Sequence, residues 1–274
     1  MKSITFSLNE TFVSKAFHAT KAVVTGSSSG IGRAIAIALA KAGVEQLVVH
    51  YRSNESGAVE TADTLREVGC EPVLLAADLA SAEGRQALVT GAFASLGEVH
   101  TWVNNAGADV LTGSAAAMDF EGKLRHLLDV DVTGTILLSR AIADRLMDQF
   151  EQTPSSLPAS MIFIGWDQAP AGMEGDAGQM FGPIKAAVMA FANSLAQTSG
   201  PRLRVNTIAP GWIRTSWGES TSEYWNDRAA GQSLMGRWGS VDDIAKAVIY
   251  AADPANTFLT AQTIQLNGGF SRRF

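Results

Sequence analysis

The 274-residue chain has one cysteine, Cys70. An intrachain disulfide is therefore impossible, and a zinc site built from several cysteines is excluded. We expect no metal site. A lone thiol fits a reducing compartment. Charged residues are scarce, at 18%, and the formal net charge is −6. Such a balance argues against a broad basic face for nucleic acid. Long apolar runs are missing too. The longest helix-like apolar stretch, 34–44, is interrupted by Lys41 and Gly43, far short of the roughly 20 residues that cross a bilayer. The opening residues, Met-Lys-Ser-Ile-Thr-Phe-Ser-Leu-Asn-Glu, hold no apolar signal core. These absences lead us to expect a soluble, cytoplasmic protein with neither nucleic acid nor membrane as partner.

What is present is apolar material. Hydrophobic residues make up 46% of the chain, enough for a substantial core, so disorder is set aside. The length suits one large domain or two small ones. Short apolar strands alternate with helical segments. Strands are expected at 21–25, 46–51, 72–77, 101–104, 160–164, 204–208 and 263–266. Helices are expected at 33–42, 56–68, 81–95, 123–150 and 181–199. Near-continuous apolar strands separated by helices predict a parallel sheet covered on both faces. Right-handed crossovers make it a doubly wound α/β/α sandwich of the Rossmann type. Residues 1–20 precede this domain, 21–274, and are read as an extension that adds an edge element or frays. The polar segment 148–160, with two prolines, is read as an exposed loop.

The strongest local signal is Thr25-Gly26-Ser27-Ser28-Ser29-Gly30-Ile31-Gly32, between the first strand and the first helix. Glycines permit a tight turn and close approach of a diphosphate. The helix then offers free N–H groups and the positive end of its dipole. The competing reading is a Gly/Ser turn without a ligand; the strand–turn–helix setting favours the nucleotide.

Further motifs follow in order: Asp78-Leu79 after the third strand, Asn104-Asn105-Ala106-Gly107 after the fourth, Pro210-Gly211 after the sixth, then Gly236-Arg237-Trp238-Gly239 and Gly268-Gly269. Together with the loop at 25–32 they resemble the short-chain dehydrogenase/reductase family from about Lys21 to Phe270. The resemblance implies a dinucleotide cofactor held by Gly26, Ser28, Ser29, Gly30, Ile31 and Gly32. It places Asp78 and Leu79 at the adenine, with Asn105, Ala106 and Gly107 further along. Lys185, Pro210, Gly211, Ile213 and Thr215 complete the expected contacts. An acidic residue ending the second strand would accept the ribose 2′-OH and repel a 2′-phosphate. Here that strand ends His50-Tyr51-Arg52-Ser53-Asn54. Arg52 can pair with a phosphate and Ser53 can donate to it, so NADP(H) is favoured over NAD(H). The bland alternative makes Arg52 a solvated surface cation.

The family's chemistry uses a tyrosine acid, a lysine one helical turn later, a serine that orients the substrate oxygen, and an asparagine that holds a relay water. Of that set the lysine alone stands at its matching place. Tyr-x-x-x-Lys reads Phe181-Gly182-Pro183-Ile184-Lys185, and a phenyl ring cannot act as an acid. Trp166 falls where the serine is expected, and Asp131 where the asparagine is. Asp131 is either a solvated helix carboxylate or an ion-pair partner of Lys185. Asp167, Glu174 and Asp176 lie in the segment 166–180. A carboxylate walled by Trp166 and Phe181 would carry a raised pKa and could serve as the missing donor; Asp167 is the first candidate.

Five of the six tryptophans lie within 166–238. They suit a stacking pocket for a ring-shaped or conjugated substrate, or an oligomer interface. The resemblance also implies a homodimer or homotetramer built through the helices 123–150 and 181–199. The small residues Ala186, Ala187, Ala190 and Ala192 of the latter are suited to close helix packing. Three functions fit: an NADP(H)-dependent oxidoreductase with a rebuilt acid/base site, an inactive NADP(H)-binding module, or a non-redox lyase or isomerase on the same fold. Fold cannot choose among them.

Overall fold

The computed structural model describes residues 17–153, 157–215 and 221–269. Its centre is a seven-stranded sheet in the order β3-β2-β1-β4-β5-β6-β7, with every neighbouring pair parallel. The strands are β1 (Lys21–Val24), β2 (Gln46–Tyr51), β3 (Glu71–Ala76), β4 (Thr101–Asn104), β5 (Ala159–Ile164), β6 (Leu203–Pro210) and β7 (Thr263–Leu266). All lie within two residues of the expected bounds. Side chains alternate between the two faces of a strand, and both faces of the central strands β1, β2, β4, β5 and β6 are buried, while the edge strands β3 and β7 are partly exposed. Val24, Val49, Ile162 and Ile208 pack on one face against α1 (Gly30–Lys41) and α8 (Val241–Ala252). Val23, Val48, Trp102, Met161, Phe163 and Val205 pack on the other. There they meet α3 (Ala82–Leu96), α5 (Thr135–Gln152) and α6 (Gly175–Ser199). This two-sided burial is why the strands carry apolar runs rather than alternation. The helix α2 (Glu55–Glu67) packs beside β3 and α1.

Helix bounds depart from the sequence reading in instructive ways. The single helix expected over 123–150 is three pieces: α4 (Phe120–Leu127), a π-helical turn (Leu128–Gly134) and α5. Apolar periodicity does not register a change of hydrogen-bond register. The helix expected from Phe181 starts at Gly175, because the glycines at 175, 178 and 182 hid its opening turns. Two further helices were not expected at all, α7 (Glu223–Gln232) and α8. The signal for α8 was present: Ser240 accepts from the Asp243 N–H while the Asp243 side chain accepts from the Ser240 N–H, a reciprocal cap. Arg204 of β6, 3% exposed, closes the other end of α8. Its guanidinium donates to the carbonyls of Ala251, Ala252 and Asp253, groups left without partners at a helix C-terminus.

The extension expected at 1–20 is tied down where it is described. Phe17 is 1% exposed and packs into the core beside Ala22 and Leu39. Residues 1–16 lie outside the described residues. In the segment 148–160, α5 continues to Gln152, and 154–156 lie outside the described residues. Of the small residues of α6 read as suited to close helix packing, Ala190 is exposed. Ala192 is instead buried in the core. Among the described residues, no helix is long and apolar enough to cross a membrane.

Candidate active site

Strand order reverses between β1 and β4, so the connections from their carboxyl ends diverge and leave a crevice. α1 begins there. Its N-cap, Ser29, makes no side-chain cap hydrogen bond, and its first turn carries no acidic residue. The first-turn N–H groups, which lack acceptors within the helix, thus point their positive end into the crevice. Glycine is required for this shape. A Cβ on Gly32 would lie 2.2 Å from the Gly26 carbonyl oxygen. Gly26 itself has φ +64°, and a Cβ there would lie 2.9 Å from Ala106 Cα. Gly30, at φ +54°, has open space where a Cβ would stand. The loop therefore folds back on α1 and leaves a bare-backbone cradle with a positive dipole end, the surroundings a diphosphate fits.

Polar side chains stiffen the cradle. Thr25 Oγ1 accepts from the N–H groups of Asn105 and Ala106, at 2.9 and 3.0 Å. The Asn105 amide donates to the carbonyls of Thr25 and Gly26. Arg33 donates to the Ser28 and Gly57 carbonyls and to Thr61 Oγ1, tying the loop to α2. His50, 2% exposed, accepts the Gly26 N–H at Nδ1, 3.0 Å away. Its Nε2 therefore carries the hydrogen and donates to the Ala77 carbonyl at 3.1 Å. Burial pushes this imidazole down to about 4 from the usual 6.5, opposed by the Ala77 hydrogen bond. Arg33 and His50 were not anticipated as site residues. Their signal was positional, a cation just after the glycine loop and a histidine near the end of the second strand.

The cavity over the cradle measures about 400 Å³. Its lining includes Gly26, Ser28, Ser29, Gly30, Ile31 and Gly32. Arg52 and Ser53 border it from the end of β2, Asp78 and Leu79 from the end of β3, and Asn105, Ala106 and Gly107 from the end of β4. A second cavity of about 540 Å³ shares Ile31, Asn105 and Thr215 with the first. Lys185, Phe181, Trp166, Pro210, Gly211 and Ile213 line it, so the structure gathers the sequence-predicted cofactor residues around two confluent cavities.

The second cavity is walled by aromatics. Trp212, Trp225 and Trp238 join Trp166 and Phe181 in its lining. The ring of Trp212 lies 5.6 Å from that of Trp225 and 5.9 Å from that of Trp238. Trp212 Nε1 donates to Gln232 of α7. Arg228, also of α7, stands over Trp225 at 5.2 Å and pairs with Glu174 at 2.5 Å. Leu111 and Met173 complete the apolar wall; neither was singled out by sequence. Trp217, expected among these aromatics, lies outside the described residues.

Lys185 Nζ lies 3.2 Å from Asp131 Oδ1, so of the two readings of Asp131 the ion pair is the one seen. Asp131 is 2% exposed, within the π-helical turn. Its other oxygen accepts the Ala108 N–H at 2.7 Å. The carboxylates expected to replace the missing acid are elsewhere. Asp167, 6% exposed, does not line the cavity; its Oδ2 accepts from Asn267, and its backbone N–H donates to the Pro210 carbonyl. Burial pushes its carboxyl up to about 6 against the Asn267 hydrogen bond. The rise is in the expected direction, in a place the expectation did not name. Glu174 is exposed, and its hydrogen bond from Arg228 holds its carboxyl down at about 2. Asp176 is exposed in the first turn of α6. Among the described residues there is no group of His, Cys, Asp and Glu that could hold a metal ion.

The sequence relatives agree with this geometry. A family model described as enoyl-(acyl carrier protein) reductase matches residues 26–271. The chain is 32% identical over 259 residues to an uncharacterised oxidoreductase of Methylorubrum extorquens, covering 90% of this chain and 96% of that one. It is 31% identical over 251 residues to the 3-oxoacyl-acyl-carrier-protein reductase of Vibrio cholerae, covering 90% and 96%. A 7 alpha-hydroxysteroid dehydrogenase solved with NADH and 7-oxo glycochenodeoxycholic acid matches with TM-score 0.82 and 25% identity, covering 95% of this chain and 98% of that one. With its sheet order, its glycine cradle and the run of motifs from Thr25 to Gly269, the chain belongs to the short-chain dehydrogenase/reductase family of oxidoreductases.

Proposed function

We propose that this protein is an NADP(H)-dependent reductase of a flat, apolar carbonyl or conjugated compound, working without the family's tyrosine. The observation that carries the reading is the confluence of the two cavities: a bare-backbone anion cradle opens at Ile31, Asn105 and Thr215 into a tryptophan-walled chamber. The cradle N–H groups of α1 hold the diphosphate, with Ser28 and Ser29 beside them. Asp78 and Leu79 border the adenine, and Pro210, Gly211, Ile213 and Thr215 the nicotinamide side. When bound, the reduced dinucleotide supplies a hydride. The aromatic walls admit flat ring systems and exclude water from the reacting carbon. A structural relative carries an oxo compound in its complex, in keeping with a carbonyl substrate.

Cofactor preference rests on Arg52 and Ser53, which line the first cavity where an acidic residue would disfavour a 2′-phosphate. A charge-assisted hydrogen bond contributes about 1.5–3 kcal/mol, or about ten- to a hundredfold in affinity. In fluorescence titrations, Arg52→Ala should weaken NADPH by that factor and leave NADH within about twofold. Equal weakening of both would refute the NADP(H) assignment. The absent hydroxyl at Phe181 favours a second reading, a binding module without turnover. Tight NADPH binding with no consumption across a carbonyl and enone panel would select it. A cytoplasmic setting and a homodimer or homotetramer through α5 and α6 belong to the same proposal.

A further inference from the structure

Phe181 leaves the chamber without a hydroxyl acid, and the carboxylates of 166–180 do not line it. Among the described residues that line this cavity, Lys185 is the one with an ionisable side chain. Its side chain is 19% exposed, with Nζ anchored to Asp131 Oδ1 at 3.2 Å. Asp131 is itself fixed by the Ala108 N–H. An ammonium has three N–H groups, so this anchor leaves others for a molecule in the chamber. Phe181 lies one helical turn before Lys185 and borders the same cavity. A lysine ammonium and a tyrosine phenol have nearly the same ordinary acidity, about 10.4 and about 10. Exchanging one donor for the other therefore loses little driving force.

We propose that Lys185 is the proton donor to the substrate oxygen, with Asp131 as its positioning residue. The inference rests on the reductase reading above. As the carbonyl carbon gains a hydride from the reduced nicotinamide dinucleotide, the C=O π pair moves onto oxygen. That oxygen forms an O–H bond with a proton from Lys185 Nζ; the N–H bond breaks and its electron pair stays on nitrogen. The substrate is reduced at the expense of the dinucleotide, and the neutral amine regains a proton from water. Asp131 is the charged group paired with Lys185.

The test uses NADPH and phenanthrenequinone, a flat conjugated diketone, in single-turnover experiments on the full chain. NADPH binding is followed separately by fluorescence. At saturating NADPH, Lys185→Met should lower the rate by about 10²–10⁴-fold. Lys185→Arg should fall as far, because a guanidinium keeps the charge but does not release its proton. Asp131→Asn should lower the rate at saturating NADPH while NADPH affinity stays within about twofold, and Asp131→Glu, which keeps the charge, should recover most of the loss. A Lys185→Met rate that recovers at saturating NADPH would reduce Lys185 to a cofactor anchor and overturn the inference. So would Lys185→Arg within about threefold of wild type, Asp131→Glu no faster than Asp131→Asn, or wild-type protein that binds NADPH and never oxidises it. Wild-type protein that fails to bind NADPH would overturn the reductase reading itself.

Discussion

Replacing Asp167 by Asn should stabilise the protein at neutral pH and unmask an acid weakness. Asp167 is buried, with one oxygen held by Asn267 and the other without a hydrogen-bond partner. Its carboxyl is pushed up to about 6 from 3.8, first by burial. The folded state therefore takes up the proton before the unfolded chain does, and stability rises as pH falls from about 6 towards 3.8. At 1.36 kcal/mol per pH unit the ceiling is about 3 kcal/mol. His50 works in the opposite direction. Its imidazole is held at about 4 against 6.5, so its contribution is complete above 6.5 and lost as pH falls towards 4, again by about 3 kcal/mol. The two slopes oppose each other, and wild-type stability should be nearly flat between pH 6 and 4.5. Urea denaturation at steps across pH 7 to 4.5 measures this. Asp167→Asn should exceed wild type by about 2–3 kcal/mol at pH 7, and the advantage should shrink steadily towards pH 4.5. An advantage that is absent at pH 7, or that persists unchanged at pH 4.5, would refute the reasoning.

Two other outcomes follow from the same geometry. Phe181→Tyr places a second acid in the chamber one turn from Lys185, and because Lys185 already donates the proton, NADPH-dependent reduction of phenanthrenequinone should change by less than about threefold; a rise of about a hundredfold, the scale on which a missing positioned acid is restored, would mean that the wild type lacks a donor. Arg204→Leu strips three α8 carbonyls of their donor and should cost about 3–5 kcal/mol in urea denaturation, since each buried carbonyl left unpaired costs about 1–3 kcal/mol. A loss below about 1 kcal/mol would show that these carbonyls find other partners.

The sheet was legible because both its faces are buried. Val23 and Val24 serve opposite cores, and such runs announce a strand wherever they occur. The cradle was legible because Gly26 and Gly32 are forced by backbone contacts, so sequence and shape coincide. The acid/base site was less so. Asp131 and Lys185 are 54 residues apart in sequence; their ion pair was one of two open readings, and only the fold, which brings them to 3.2 Å, decides between them. Asp167 invited a catalytic reading through the aromatic walls of Trp166 and Phe181, yet its contacts are with Asn267, 100 residues along the chain, and with Pro210 at the end of β6. α8 was missed although its Ser240–Asp243 cap was readable. α7 gave weaker notice, being short and largely polar.

The central claim is that the amino end of α1 receives the diphosphate of a nicotinamide dinucleotide. Isothermal titration calorimetry of NADPH into the wild-type protein tests it most directly. A saturable binding heat with one site per chain is predicted, lost in Gly32→Val whose fold is verified by circular dichroism. No heat from wild-type protein, or an unchanged isotherm in the folded Gly32→Val variant, would contradict it.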